Sequence, residues 1–184
     1  GKWQGWGPMQ LLGTDVHGKT LGIFGMGRIG QAMARRALAF NMRVLYFDPT
    51  TPRLEKGIVA SPVDMSTLLA QSDFVSLHCP LLIDTKHAFG IAEFRAMKKT
   101  ACIINTSRGP VIDEAALVDA LKKGEIYAAG LDVFEEEPCI HPSLLAMENV
   151  VLLPHLGSAT KETRGKMAKI AAQNIVAVLS GEEP

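Results

Sequence analysis

Short apolar runs alternate with amphipathic stretches along the chain, and that alternation limits the fold more than any other feature of the sequence. The runs Thr20–Phe24, Arg43–Phe47, Phe74–Leu77, Ala101–Asn105, Ala128–Val133 and Val150–Leu153 have the length and residue types of strands. Between and after them, Ile29–Phe40, Met65–Gln71, Ile91–Lys98, Glu114–Lys123 and Thr160–Leu179 carry helical periodicity. Asp64 and Asp113 stand where helix N-caps belong, and Gly124 stands where a helix stops. A run such as Ala101-Cys-Ile-Ile-Asn105 is apolar without alternation, as in strands covered by helices on both faces. The order predicts an α/β domain with a doubly wound parallel sheet.

At 184 residues, 47% hydrophobic and 21% charged, the chain fills one core, and no stretch reads as an interdomain linker or repeat. Residues 1–184 are therefore read as one domain, with Gly1–Lys19 an irregular lead-in. Trp3 and Trp6, the only tryptophans, lie in that lead-in and mark either a contact surface or padding at the domain's edge. Nineteen Lys and Arg offset nineteen Asp and Glu, so no basic excess serves nucleic acid or an anionic membrane. No apolar run approaches the roughly 18 to 20 residues of a membrane span, and no leader opens the chain. Cys79, Cys102 and Cys139 are odd in number and form no C-x-x-C pair, which argues against a disulfide framework and a zinc site. A cytoplasmic, metal-free protein is expected. The chain opens at Gly1 without an initiating Met and stops just after a helical pattern, as a piece of something longer would.

Gly25-Met-Gly27-Arg-Ile-Gly30 falls between a strand and a helix, where a dinucleotide-binding turn of Rossmann type belongs. Gly25 permits the tight turn, Gly27 lets the backbone approach a pyrophosphate, and Gly30 lets helix and strand pack closely. The helix N-terminus then offers N–H groups and partial positive charge to phosphates. Asp48 closes the second strand 18 residues after Gly30, where a carboxylate accepts from the adenosine ribose and repels a 2′-phosphate. NAD is expected, with NADP less favoured. Two alternatives stand beside this: Asp48 as a turn residue before Pro49, and Arg53 as a holder of a 2′-phosphate.

In an open α/β sheet ligands bind beyond the carboxyl ends of the strands. Three such ends carry polar residues: Thr106-Ser-Arg108, Glu135-Glu-Glu137 and His155-Leu-Gly157. Arg108 offers a rigid fork for a carboxylate. His155 titrates near neutrality and can deliver a proton to an oxygen as hydride arrives at its carbon. Glu137 would fix the imidazole's tautomer, and its charge favours the acid form of His155. Together they predict reduction of a small 2-keto acid. A surface charge, a solvated glutamate and a loop histidine are the bland alternatives when each is taken singly.

These residues sit in four ordered segments: Asp15 to Gly30, Ile104-Asn-Thr-Ser-Arg-Gly-Pro-Val-Ile-Asp113, Gly130-Leu-Asp-Val-Phe134 with Glu137-Pro138, and Leu153-Pro-His-Leu-Gly-Ser-Ala-Thr160. Over nearly its whole length the chain resembles the NAD-binding domain of the D-isomer-specific 2-hydroxyacid dehydrogenases, most of all the glyoxylate/hydroxypyruvate (2-ketogluconate) reductases. The resemblance implies Arg108, Glu137 and His155 as catalytic residues. It implies Arg28 and Ile29 at the pyrophosphate, Asp48 at the ribose, and Cys79, Pro80 and Thr85 in the loop over the cofactor. Thr106, Ser107, Arg108 and Asp132 would surround the nicotinamide, with Asp132 orienting its carboxamide, and His155 and Gly157 would also bind the cofactor. The cofactor amide would also give a nearly buried Asp132 the partner it otherwise lacks. Leu82 departs from the threonine common in the Pro-Leu-Thr run, and Phe47-Asp-Pro49 departs from the arginine-bearing loops of NADPH users. The resemblance further implies a homodimer formed through the lead-in and a substrate domain built from flanking sequence absent from this chain. The same fold also serves in dinucleotide-sensing corepressors that bind protein partners, an alternative from another class.

Overall fold

Strand β1 (Thr20–Phe24) is apolar on both faces, and it pairs in parallel with β2 (Arg43–Phe47) on one side and β4 (Phe74–Leu77) on the other. In this computed structural model, which describes every residue except 2, 4, 11 and 51, the sheet has seven strands, all parallel, in the order β3-β2-β1-β4-β5-β6-β7. The remaining strands are β3 (Ser61–Pro62), β5 (Cys102–Asn105), β6 (Ala128–Leu131) and β7 (Val150–Leu152). The helices are α1 (Arg28–Leu38), α2 (Met65–Gln71), α3 (Ile91–Ala96), α4 (Glu114–Lys123), α5 (Pro142–Leu145) and α6 (Lys161–Leu179).

Successive β2 residues show why both faces must be apolar. Val44 and Tyr46 enter a cluster with Leu21, Ile23, Met26, Ala34 and Ala37 under α1, whereas Leu45 enters the opposite cluster with Leu68, Val75, Leu77, Phe89, Ile103 and Leu117. Each fully buried Leu, Ile or Phe contributes about 1.5–3 kcal/mol through area removed from water. Asp64 and Asp113 cap α2 and α4 by accepting from Thr67 and Ala116 N–H, and Gly124 closes α4 at φ 66°. The sheet order reverses between β1 and β4, so the carboxyl ends of these two strands open the crevice that positions the site.

Two elements escape the sequence pattern. β3 has only two residues and contains Pro62, which an edge strand accepts because no ladder bond is asked of its nitrogen on the open side. α5 is a single turn beginning at Pro142. β6 stops at Leu131 instead of Val133, because Asp132 turns the chain toward β7's end, and α3 stops at Ala96 where Met97 is extended. α6 begins one residue later than the pattern predicts, with Thr160 as its cap, yet none of its described residues is buried, and Ile175, Val176, Val178 and Leu179 stand open to solvent. In the lead-in, Trp3 and Trp6 are 86% and 87% exposed, and residues 2, 4 and 11 lie outside the described residues. Among the described residues no helix is long and apolar enough to cross a membrane, and no group of His, Cys, Asp and Glu is arranged to hold a metal ion.

Candidate active site

The turn after β1 is built by three glycines with different reasons. Gly25 has φ 95°, and a Cβ there would meet Cys79 N at 2.8 Å, so it brings the β1 and β4 ends into contact. A Cβ on Gly30 would lie 2.2 Å from Gly25 O, which sets how closely α1 approaches the turn. Gly27 is the exception: its φ is −71°, and a Cβ there would meet nothing within 4 Å. Neither packing nor backbone conformation requires a glycine at 27.

Asp48 ties the end of β2 to this turn. Its Oδ2 accepts from Met26 N–H at 2.8 Å, and its Oδ1 accepts from Thr50 N–H and Oγ1 at 2.9 and 2.7 Å. Burial pushes the carboxyl up, but the bonds from Thr50 and Met26 outweigh it and hold Asp48 below the usual aspartate range. Buried Gln31 braces the neighbouring loop, its Nε2 donating to Met26 O and Arg53 O and its Oε1 accepting from Glu55 N–H. Arg53 contributes a backbone carbonyl to this brace and is itself exposed.

A cleft of about 620 Å³ opens across the switch point, lined by Arg28, Ile29, His78, Cys79, Pro80, Leu81 and the turn Thr106–Arg108. Burial pushes the Cys79 thiol up to about 11, so Cys79 is an uncharged piece of wall. Burial likewise pushes His78 down to about 4, and its neutral ring meets Ser76 Oγ at 2.9 Å. On the other side, Asn105 fixes the turn after β5: its Oδ1 accepts from Ser107 N–H and Oγ, and its Nδ2 donates to Arg108 O. Arg108 Nη1 rests on Ser107 O at 2.6 Å. Gly109 then lets this turn touch the loop after β6, since a Cβ there would lie 1.8 Å from Phe134 O.

The third strand end carries the histidine. Asp132 is 4% exposed, and its Oδ1 and Oδ2 accept from Leu156 and Gly157 N–H at 2.6 and 2.8 Å, while its backbone O accepts from His155 N–H. The buried carboxylate thus has partners within the chain, which corrects the expectation that it needs a ligand to be satisfied. It pins the turn on which His155 sits at φ 55°. From there His155 Nδ1 meets Glu137 Oε2 at 3.0 Å, and Glu137 Oε1 accepts from Phe134 N–H. The His155 hydrogen bond, with the Phe134 N–H and the charges of His155 and Arg108 behind it, outweighs the opposing effect of burial and holds Glu137 below the usual glutamate range. Arg108, Glu137 and His155 therefore share one rim.

Thr85 is placed differently. Its Oγ1 donates to Pro80 O and accepts from Leu82 N–H, both at 2.7 Å, so the hydroxyl shapes the short turn Ile83–Thr85 and does not line the cleft. His78, Leu81, Gln31 and Asn105 belong to the site and escape the sequence reading. The available signals were position immediately after a strand for His78 and a polar residue closing an apolar strand for Asn105.

The matching family model is the D-isomer specific 2-hydroxyacid dehydrogenase, NAD binding domain, and it covers residues 1–157. The chain belongs to the D-isomer specific 2-hydroxyacid dehydrogenase family. Among its relatives, a glyoxylate reductase of Thermococcus litoralis is 51% identical over 189 residues, a match that takes in 100% of this chain and 57% of the relative. A glyoxylate/hydroxypyruvate reductase B of Escherichia fergusonii is 55% identical over 173 residues, covering 92% of this chain and 53% of that protein. The crystal structure of the TT0316 protein from Thermus thermophilus superimposes with a TM-score of 0.92 at 46% identity, over 99% of this chain and 57% of that one. The chain thus spans little more than half the length of these relatives.

Membership makes NAD the cofactor, and the family's site can be tested against the residues present. The open space at Gly27 is the decisive feature: as the N-cap of α1 a glycine is only modestly better than alanine, and the bare backbone leaves room for a phosphate to come against it. The uncapped N-terminus of α1, with no acidic residue in its first turn, faces the same cleft through Arg28 and Ile29. A carboxylate has about four lone-pair positions, so the three bonds to Asp48 leave room for a ribose hydroxyl. The residues fit a dinucleotide.

Proposed function

We propose that this chain is the cofactor-binding part of an NAD-dependent reductase of small 2-keto acids, with glyoxylate and hydroxypyruvate as the substrates of choice. The observation that carries the proposal is the contact of His155 Nδ1 with Glu137 Oε2 at 3.0 Å, close enough to Arg108 for its charge to act on Glu137, in the loops beyond the carboxyl ends of β5, β6 and β7, with Arg108 itself lining the dinucleotide cleft. The names of the glyoxylate and hydroxypyruvate reductases among the relatives support the substrate class. Coverage of 57% and 53% of those relatives supports a substrate domain outside this chain.

Bound NADH supplies the hydride. Arg28, Ile29 and Gly27 would hold its pyrophosphate and Asp48 its ribose, and Cys79, Pro80, Thr106, Ser107, Asp132 and Gly157 would contact the remainder of the cofactor. Arg108 grips the substrate carboxylate with its planar fork and draws charge from the adjacent carbonyl. Glu137 accepts at Nδ1, which leaves Nε2 of the imidazolium to give its proton to the carbonyl oxygen as the carbon is reduced. In the reverse direction Nε2 takes that proton back. The exposed Trp3 and Trp6 support a homodimer built through the lead-in, and three free cysteines support a cytoplasmic setting.

Replacing His155 with Gln in the full-length protein tests this reading. Turnover of glyoxylate should fall by about 10²–10⁴-fold while NADH still binds. Unchanged turnover would remove His155 from the mechanism. NADH binding with no turnover of any 2-keto acid by the unmodified protein would favour the dinucleotide-sensing alternative.

A further inference from the structure

Glu114 opens α4, a place where a glutamate ordinarily lies in solvent and favours the helix dipole. Here it is only 8% exposed, and both of its oxygens are used. Oε1 accepts from Glu135 N–H at 2.6 Å and Oε2 accepts from His141 N–H at 3.2 Å. These two amides are the two feet of the loop that carries Glu137. Glu135 returns the contact, its Oε2 accepting from Glu114 N–H at 3.1 Å, and its Oε1 meets His87 Nε2 at 2.5 Å. His87 is itself fixed through its N–H to Pro110 O, next to the Arg108 turn.

Helix α4 has its N-cap in Asp113 and therefore does not need this carboxylate as a cap. Burying a carboxylate is costly unless its oxygens are bonded, and a pair of bonds to two backbone amides six residues apart holds a loop closed in one geometry. Between those feet stands Glu137, whose carboxylate touches His155.

We propose that Glu114 is a positioning residue: it clasps both ends of the loop from Glu135 to His141 and so sets the distance from Glu137 to His155. The proposal rests on reading Glu137 and His155 as the pair that delivers the proton. Misplacement of a catalytic group by about 1 Å costs on the order of 10²-fold in rate, so loosening the clasp should lower kcat without changing how NADH binds.

The test is a double-mutant cycle in the full-length protein, using Glu114→Gln, Glu137→Gln and both together, with kcat, KM for glyoxylate and NADH Kd measured for each. An amide at 114 can accept from one foot but turns a donor toward the other. The expected result is a fall in kcat of about 10- to 100-fold for Glu114→Gln, an NADH Kd within about twofold of the unmodified protein, and less than about a threefold further fall when Glu114→Gln is added to Glu137→Gln. A purely structural role would lower activity by the same factor in both backgrounds, and that additivity overturns the proposal, as does an unchanged kcat for Glu114→Gln. If Glu137→Gln alone leaves kcat unchanged, the catalytic reading itself fails, an outcome distinct from the other two. His141→Pro is the second variant: φ there is already −54°, and the change removes the amide at one foot together with the imidazole that accepts from Ser143 N–H, so His141→Ala, which loses the imidazole and keeps the amide, is its control. The proline variant should reproduce the kcat loss and its non-additivity with Glu137→Gln, and failure to do so counts against the clasp even if Glu114→Gln does not fold.

Discussion

Gly27→Ala separates what the glycines do for the fold from what one of them does for the ligand. A methyl at 27 meets no atom within 4 Å and sits on a backbone with φ −71°, so the folded protein accommodates it without strain. Alanine is a weaker N-cap than glycine, which costs up to about 1 kcal/mol, but it also removes about 0.4–1 kcal/mol of unfolded-chain entropy. The two nearly cancel, and Tm should move by about 3 °C or less. The pyrophosphate, by contrast, must come against that backbone, and an added methyl there costs about 1–3 kcal/mol of packing, or roughly 5- to 150-fold in Kd. Gly30→Ala should show the opposite pattern, because its Cβ would lie 2.2 Å from Gly25 O and the turn must deform in the absence of any ligand. Thermal melts with NADH fluorescence titrations on the two variants of the full-length protein check both arms. A Gly27→Ala protein that binds NADH within about twofold of the unmodified one would rule this out, since the glycine would then serve α1 as its N-cap and not the ligand.

Asp48→Asn removes the charge that repels a 2′-phosphate, so the preference for NADH over NADPH should narrow by about tenfold in side-by-side titrations, and an unchanged preference would move selection to Arg53 or elsewhere. At Asp73, burial pushes the carboxyl up, but the Lys98 hydrogen bond, the Thr20 N–H and the charges of Lys98 and Lys19 hold it below the usual aspartate range. Its folded value being depressed, its contribution of about 1 kcal/mol or less is complete above about pH 4 and fades as pH falls through the folded value. In urea melts Asp73→Asn should therefore trail the unmodified protein at neutral pH and converge with it in acid, and a gap that stays constant down the pH scale would contradict this. Gly109→Ala should lower kcat about 10²-fold by forcing the Arg108 turn away from Phe134, from a contact that would otherwise be 1.8 Å, and an unaltered kcat would show that the two loops need not touch.

The parts of the site set by local grammar are readable from the residues alone. Apolar runs on both faces announce a covered parallel sheet, and Gly25, Gly27 and Gly30 between a strand and a helix announce a phosphate turn. Arg108, Glu137 and His155 stand out because they are polar residues in the loops that follow apolar strands, where an open α/β sheet binds its ligands. What escapes depends on contacts distant in sequence. Asp132 reads in sequence as a carboxylate in need of a ligand because its partners, Leu156 and Gly157 N–H, lie 24 and 25 residues away. Glu114 looks like a helix-dipole residue until the loop 21 residues on is seen to hang from it. At Thr85 the contact is local, its hydroxyl bonding Pro80 O and Leu82 N–H within the loop that the resemblance assigns to the cofactor. α6 has the period of a helix, but its periodicity carries no information about what covers it, and in this chain nothing described does.

If this rim reduces 2-keto acids with NADH, the reaction itself can be watched. The full-length protein is mixed with NADH and either glyoxylate or hydroxypyruvate, NADH loss is followed, and the product is identified by chiral chromatography. One 2-hydroxy acid should form per NADH consumed, the D isomer from hydroxypyruvate, with the yield abolished by His155→Gln. Tight NADH binding without product from either acid, or product formed equally well without His155, would contradict the proposed reaction.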